Sequence, residues 1–232
     1  MTGILRSPAD PAADAAAATA KTLSRLRGKR IFHPHGVGFA AALTPIGERL
    51  GASALSRPVE ATVRLSRALG LPEPVPDLFG LAFRVADAYG PGLHQDLLLA
   101  TTGSSRLGRH ALLPGRGFCD RTYSSLLPYR LEDELLVLGA RALGCERPGP
   151  GLAELRRRES ASLEFELLAA APGGSWRPVA RLALGDRVPP AETERLDLDP
   201  TNTGGGLELA GWLNRLRGPT YRASQAGRGA RA

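Results

Sequence analysis

From about residue 59 onward, hydrophobic and polar positions alternate with the period of strands. Over residues 59–66, Val63 and Leu65 fall on one face and Thr62, Arg64 and Ser66 on the other. Residues 78–86 and 95–102 are short, mostly apolar runs between Pro, Gly and Asp clusters, which predicts buried strands. Residues 121–131 and 134–142 flank the polar pair Glu132-Asp133 and predict a hairpin. Residues 161–169 set Leu163, Phe165 and Leu167 against Glu164 and Glu166, residues 171–175 turn, and residues 177–184 complete a second hairpin. About seven short strands predict a sandwich or a closed barrel, and closure explains runs that are apolar on both faces. The expected class is therefore mainly β with helices (α+β), a closed antiparallel β-barrel over about residues 59–185.

The pattern changes at both ends. Residues 186–207 are rich in turn signals (Val188-Pro189-Pro190, Asp199-Pro200, Gly204-Gly205-Gly206), which predicts a segment wrapping the barrel. Helical pieces are expected near 208–217 and 219–227, with Pro219 in the first turn of the last. Residues 1–20 are rich in Ala, Pro and Asp, which predicts a partly mobile arm over 1–28, with a short helix at about 20–27 ending at Gly28. A single domain over 29–228 remains.

Composition narrows the function classes. With 43% apolar and 23% charged residues in 232, the chain is of ordinary globular composition. No run approaches the ~20 apolar residues of a spanning helix, and no leader pattern opens the chain. The net charge of +7 is uneven: residues 1–30 carry +4, residues 212–232 carry +5, and the middle is −2. A basic chain invites a nucleic-acid reading. Aromatics, however, are only 5%, too few for base-stacking surfaces, and two lysines against 28 arginines resemble a coding bias, so no nucleic-acid partner is expected. Cys119 and Cys145 lack the CxxC spacing of a zinc site and suggest a structural role in a reducing compartment, which points to the cytoplasm. Glu159, Glu164 and Glu166 read as a solvated strand face, Arg156-Arg157-Arg158 as an exposed turn, and His94 and His110 as loop histidines.

Four segments carry candidate chemistry. Arg30-Ile31-Phe32-His33-Pro34-His35-Gly36-Val37-Gly38 sets two histidines beside glycines and predicts a loop whose backbone approaches another group closely. Val63-Arg64-Leu65-Ser66 places an arginine on a strand. Leu198-Asp199-Pro200-Thr201-Asn202 is a turn by its own chemistry. In Arg217-Gly218-Pro219-Thr220-Tyr221, continuing to Ser224 and Arg228, the spacing lets Arg217, Tyr221, Ser224 and Arg228 share a helix face.

In this order the segments resemble the catalase family. The distal-histidine loop Arg-x-x-His-x-x-Gly-x-Gly is similar to Arg30, His33, Gly36 and Gly38, followed by Thr44. The family's Val-Arg-Phe-Ser strand resembles residues 63–66, and its Asp-x-x-Gly-Phe-Ala run resembles residues 77–82. Its Phe-Asp-Pro-x-Asn turn looks like residues 198–202. Its haem-ligand helix, Arg-x-x-x-Tyr-x-x-Thr-x-x-x-Arg, is similar to Arg217, Tyr221, Ser224 and Arg228.

The resemblance implies haem b, its ferric iron held by the Tyr221 phenolate, with Arg217 favouring the charged form of a group whose ordinary pKa is about 10. It implies His33 as the distal acid and base, with His35 competing for that role, and Arg30, Arg64 and Arg228 pairing the propionates. The distal asparagine of the family falls on Thr101, which has one hydroxyl donor. A chain this short lacks the family's terminal helical domain and arms, which implies an open channel. The expected substrate is then an organic hydroperoxide, as in minimal catalase-like peroxidases and allene oxide synthases. It is either reduced with a small-molecule electron donor or rearranged. The alternative is a haem carrier or sensor with little turnover. A homodimer stays open.

Overall fold

The computed structural model describes residues 35–210. Its strands are β1 (His35–Pro45), β2 (Val59–Arg67), β3 (Phe79–Val85), β4 (Gln95–Thr102) and β5 (Thr122–Ser124). There follow β6 (Tyr129–Leu131), β7 (Glu134–Leu143), β8 (Ser160–Ala170), β9 (Arg177–Arg187) and β10 (Leu207–Leu209). Short helices α1 (Leu152–Leu155) and α2 (Pro190–Arg195) lie in the connections after β7 and β9. The order β7-β5-β4-β3-β2-β1-β9-β8 returns to β7 through the β7–β8 pairing, so eight antiparallel strands close a barrel. β6 and β10 extend the sheet beside β7, outside the closure.

Alternation sorts the side chains. Val37, Phe39, Ala41 and Leu43 of β1 point inward with Val63 and Leu65, Leu81 and Phe83, Leu97 and Leu99, and Phe165 and Leu182, all of them buried. Burying such side chains contributes roughly 1.5–3 kcal/mol each, which is what holds the barrel together. Tyr123 packs edge-on to Phe165 with ring centroids 5.9 Å apart and donates its hydroxyl to the Phe118 carbonyl at 2.8 Å. Complete burial pushes its pKa well above the ordinary value.

Several elements depart from expectation, each for a local reason. The barrel opens at residue 35, not 59: half of the glycine-rich segment read as a loop is strand β1. Its outward positions are Gly36, Gly38, Ala40 and Ala42, which supply no polar partner to the inward Val37, Phe39, Ala41 and Leu43, so the alternation is hidden. Residues 121–131 are two strands, not one. Between them Leu126 adopts φ +65°, the Ser124 hydroxyl accepts the Leu126 N–H at 2.9 Å, and the Ser125 hydroxyl accepts the Leu138 N–H at 3.2 Å. Two serine side chains thus replace ladder bonds. Residues 208–209 belong to β10 and not to a helix, while the expected helices at 20–27 and beyond 210 lie outside the described residues. Glu166 is not solvated: it is buried and accepts a 2.6 Å bond from Arg141 Nε.

The two cysteines are joined to each other. The Cys119–Cys145 disulfide ties the β4–β5 connection to the β7–β8 connection across 26 residues. A disulfide runs against the reducing compartment inferred from the spacing, so the cysteines no longer argue for the cytoplasm. On another side, Arg109 is the largest fully buried side chain. Its guanidinium lies 4.0 Å above the Trp176 ring and donates to the carbonyls of Gly174 at 2.9 Å and Ala171 at 3.5 Å. Burial, with Arg106 nearby, lowers its pKa from the ordinary arginine value. The stack pins the 103–112 connection beneath the turn between β8 and β9.

Candidate functional site on the outer barrel wall

Arg64 stands on the outer face of β2, opposite Gly38 of β1 and Ala82 of β3, and Ala82 in turn faces Leu98 of β4. Around it the outward positions are small: Gly36, Gly38, Ser66, Gly80, Ala82 and Ala100. A Cβ built at Gly36 would come within 2.7 Å of the Arg64 guanidine carbon and Nε, so only glycine lets that side chain lie over β1. Gly38 is covered in the same manner by Thr193 of α2. The result is a wall of glycine, alanine and serine, with Leu98 beside Ala82 and the Arg64 guanidinium lying over Gly36. Such a surface admits a flat apolar body and can pair a carboxylate at its edge.

Beside this wall a clasp holds the segment predicted to wrap. Arg84, two residues beyond Ala82 on the same face, donates through Nε and Nη2 to the Asp96 carboxylate at 2.7 and 2.6 Å, and through Nη2 to the Asp197 carbonyl at 2.6 Å. Asp96 is fully buried, and its Oδ2 also accepts the Asp199 N–H at 2.8 Å and the Asn202 side-chain amide at 2.9 Å. The Asp96 N–H donates to the Asn202 carbonyl at 2.8 Å. Asp199 turns its own carboxylate back on Thr201, accepting from N–H and hydroxyl at 2.8 and 2.7 Å, the Asx turn its sequence predicts. The hydrogen bond to Asp96 raises the Arg84 pKa above its ordinary value, against the lowering effect of burial.

The expected site residues divide three ways. Arg64 lies on the wall. Thr101 lies on the inner face: it shares parity with Leu97 and Leu99, faces Tyr123, is fully buried, and its hydroxyl accepts the Phe79 N–H at 3.2 Å. On the Arg64 side that end of β4 presents Ala100 instead. Arg30, His33, Arg217, Tyr221, Ser224 and Arg228 lie outside the described residues. His94 and His110 sit in connections, where His94 Nδ1 accepts the Asp87 N–H at 3.0 Å and His110 Nδ1 is 2.8 Å from the Leu126 carbonyl.

Sequence reading missed Arg84 and Asp96 as partners. The available signal was one arginine and one aspartate in strands that proved adjacent, and their pairing becomes visible only once β3 and β4 are in register.

Among the described residues no group of three or more His, Cys, Asp or Glu could hold a metal ion, and no helix is long and apolar enough to cross a membrane. No protein-family model matches the chain, and no curated protein matches it.

Proposed function

We propose that the chain binds ferric haem b against the outer wall and acts on organic hydroperoxides as a peroxidase-like oxidoreductase. The observation that carries this reading is the Arg64 guanidinium beside a wall of glycine and alanine, with the 197–202 segment clasped next to it. On this side Arg64 is the described residue that would hold the group. Small residues let a flat macrocycle approach closely, and an arginine offers a permanently charged, bidentate partner for a propionate. Haem supplies the iron at which a hydroperoxide can be split.

The protein's own residues do the rest. By the resemblance to catalases, Tyr221 would hold the iron as a phenolate, and Arg217 would favour that charged form. His33 would serve as acid and base, taking the proton of a hydroperoxide and returning it to the departing oxygen. Arg30 and Arg228 would pair the propionates together with Arg64, and Ser224 would join them in holding the cofactor. A small organic electron donor completes a reductive cycle; without one the product is a rearranged hydroperoxide.

One observation favours a second reading, a haem carrier or sensor with little turnover. The Thr101 hydroxyl, the expected distal donor, accepts the Phe79 N–H on the inner face, and its outward neighbour Ala100 has no donor.

Titration of the full chain with haemin tests both. The expected result is one equivalent bound with a ferric high-spin spectrum, lost in Tyr221→Phe and weakened about tenfold in Arg64→Ala, the size of one charge-assisted bond. His33→Ala keeps the haem and loses reaction with an alkyl hydroperoxide. Equal, slow reaction in wild type and His33→Ala would select the carrier. Absence of stoichiometric uptake overturns both readings.

A further inference from the structure

We propose that the cleft between the β4–β5 and β7–β8 connections is a second site, which binds a diphosphate-bearing small molecule. The cleft, about 420 Å³, is lined by Arg116 and Arg121 from the first connection and Arg147 from the second, with Asp120 between them. That volume falls in the range of small-molecule sites. Three arginines thus line it against one carboxylate.

The carboxylate is already engaged. Asp120 Oδ2 accepts the Arg116 backbone N–H at 3.0 Å and lies 3.9 Å from Arg121 Nε, which also donates to the Pro114 carbonyl at 3.3 Å. The guanidinium groups of Arg116 and Arg147 have no hydrogen-bond or ion-pair partner among the described residues. Like charges gathered in one cleft repel each other, and an anion between them relieves that repulsion. Arginine forks match phosphate oxygens bidentately, and two unpaired arginines from opposite connections suit two adjacent phosphate groups.

The cleft is also built to keep its shape. The Cys119–Cys145 disulfide joins its two walls. Backbone bonds cross the same seam, from Cys119 N–H to the Pro148 carbonyl at 3.0 Å and from Phe118 N–H to the Pro150 carbonyl at 3.2 Å. Gly115 is anchored to Asp77 by a reciprocal pair of 2.9 Å bonds. A Cβ at Gly117 would strike the Pro148 carbonyl, so the two connections approach at backbone distance. The two walls therefore hold a fixed separation, and binding carries no cost for ordering the backbone. Among the described residues no aromatic side chain lines the cleft, which favours a small anion over a stacked nucleic-acid strand.

Calorimetric titration of the full chain, without haem, with inorganic pyrophosphate tests the proposal. Arg116→Ala combined with Arg147→Ala is the informative variant. Arg157→Ala, an exposed arginine elsewhere, is the control for general basic charge. The expected result is saturable binding of one pyrophosphate, weakened at least tenfold in the double variant and unchanged in Arg157→Ala. Equal unligated melting temperatures show that the double variant is folded. Absence of saturable binding, equal weakening in the control, or tighter binding of citrate than of pyrophosphate overturns the assignment. None of these outcomes depends on haem uptake.

Discussion

Two Arg–Asp pairs, Arg67–Asp77 and the partly exposed Arg84 with Asp96, do different work with the same chemistry. Both aspartates are fully buried. Arg67 ends β2 on the inner face, 5.5 Å above the Phe79 ring, and its Nε reaches Asp77 at 3.2 Å. Asp77 also accepts the N–H groups of Leu69, Leu71 and Leu78 at 2.9, 3.3 and 2.7 Å, so it organises a loop within ten residues of itself. Asp96 instead reaches residues more than a hundred positions away, at Asp199 and Asn202. The first pair caps one end of the barrel and orders a proline-rich turn. The second fixes the wrapping segment to the outer wall. Sequence separation, more than bond strength, separates a local fastener from a tertiary one.

The comparison can be broken from either side. Asp96→Ala should have the largest effect, because it strands the Arg84 charge together with donors from Asp199 and Asn202. Removing one partner of a buried pair typically costs about 3–5 kcal/mol. Urea unfolding should show a loss of that size, and hydrogen exchange should rise across residues 196–203. Asp77→Ala should cost about 3 kcal/mol by the same reasoning, but its exchange should rise only over residues 68–78. If both variants loosened the same segments, the distinction between local and tertiary fasteners would fail.

A milder cut sharpens it. Asn202→Ala removes one amide bond to a carboxylate and should cost about 2 kcal/mol, again with exchange raised near residue 199 and none near Asp77.

The smallest effect belongs to the interior. Tyr123→Phe loses the bond to Phe118 and should cost about 1 kcal/mol at neutral pH. The folded pKa of Tyr123 lies above its unfolded value. Stability is therefore fully present below about pH 10 and falls as pH rises beyond it, by up to about 1.4 kcal/mol per pH unit. Stability curves between pH 8 and 11 should show a flatter alkaline limb in Tyr123→Phe.

Strands β2 and β8 were legible because apolar residues alternate with polar ones, the property that burial on one face imposes, and β3 and β4 because short apolar runs stand between Pro, Gly and Asp clusters. β1 was hidden because its outer face is glycine and alanine, a composition that reads as loop until Arg64 and α2 are seen lying over it. The 199–202 turn was legible from Asp199-Pro200, since an Asx turn is made by residues adjacent in the chain. Arg64 was singled out in advance and stands on the wall. The inner-face position of Thr101 was not foreseen, because a single residue of offset in a strand exchanges one face for the other.

The sequence by itself determined what depends on neighbours along the chain: most strands, their turns and the class of fold. Tertiary structure alone decided which strand closes on which, which arginine meets which aspartate, that Cys119 bonds Cys145, and that three arginines from two connections share a cleft. Alternation and turn chemistry are written in adjacent residues. Partnerships across 26 or a hundred residues are set by the register and closure of the barrel, and no local pattern encodes them.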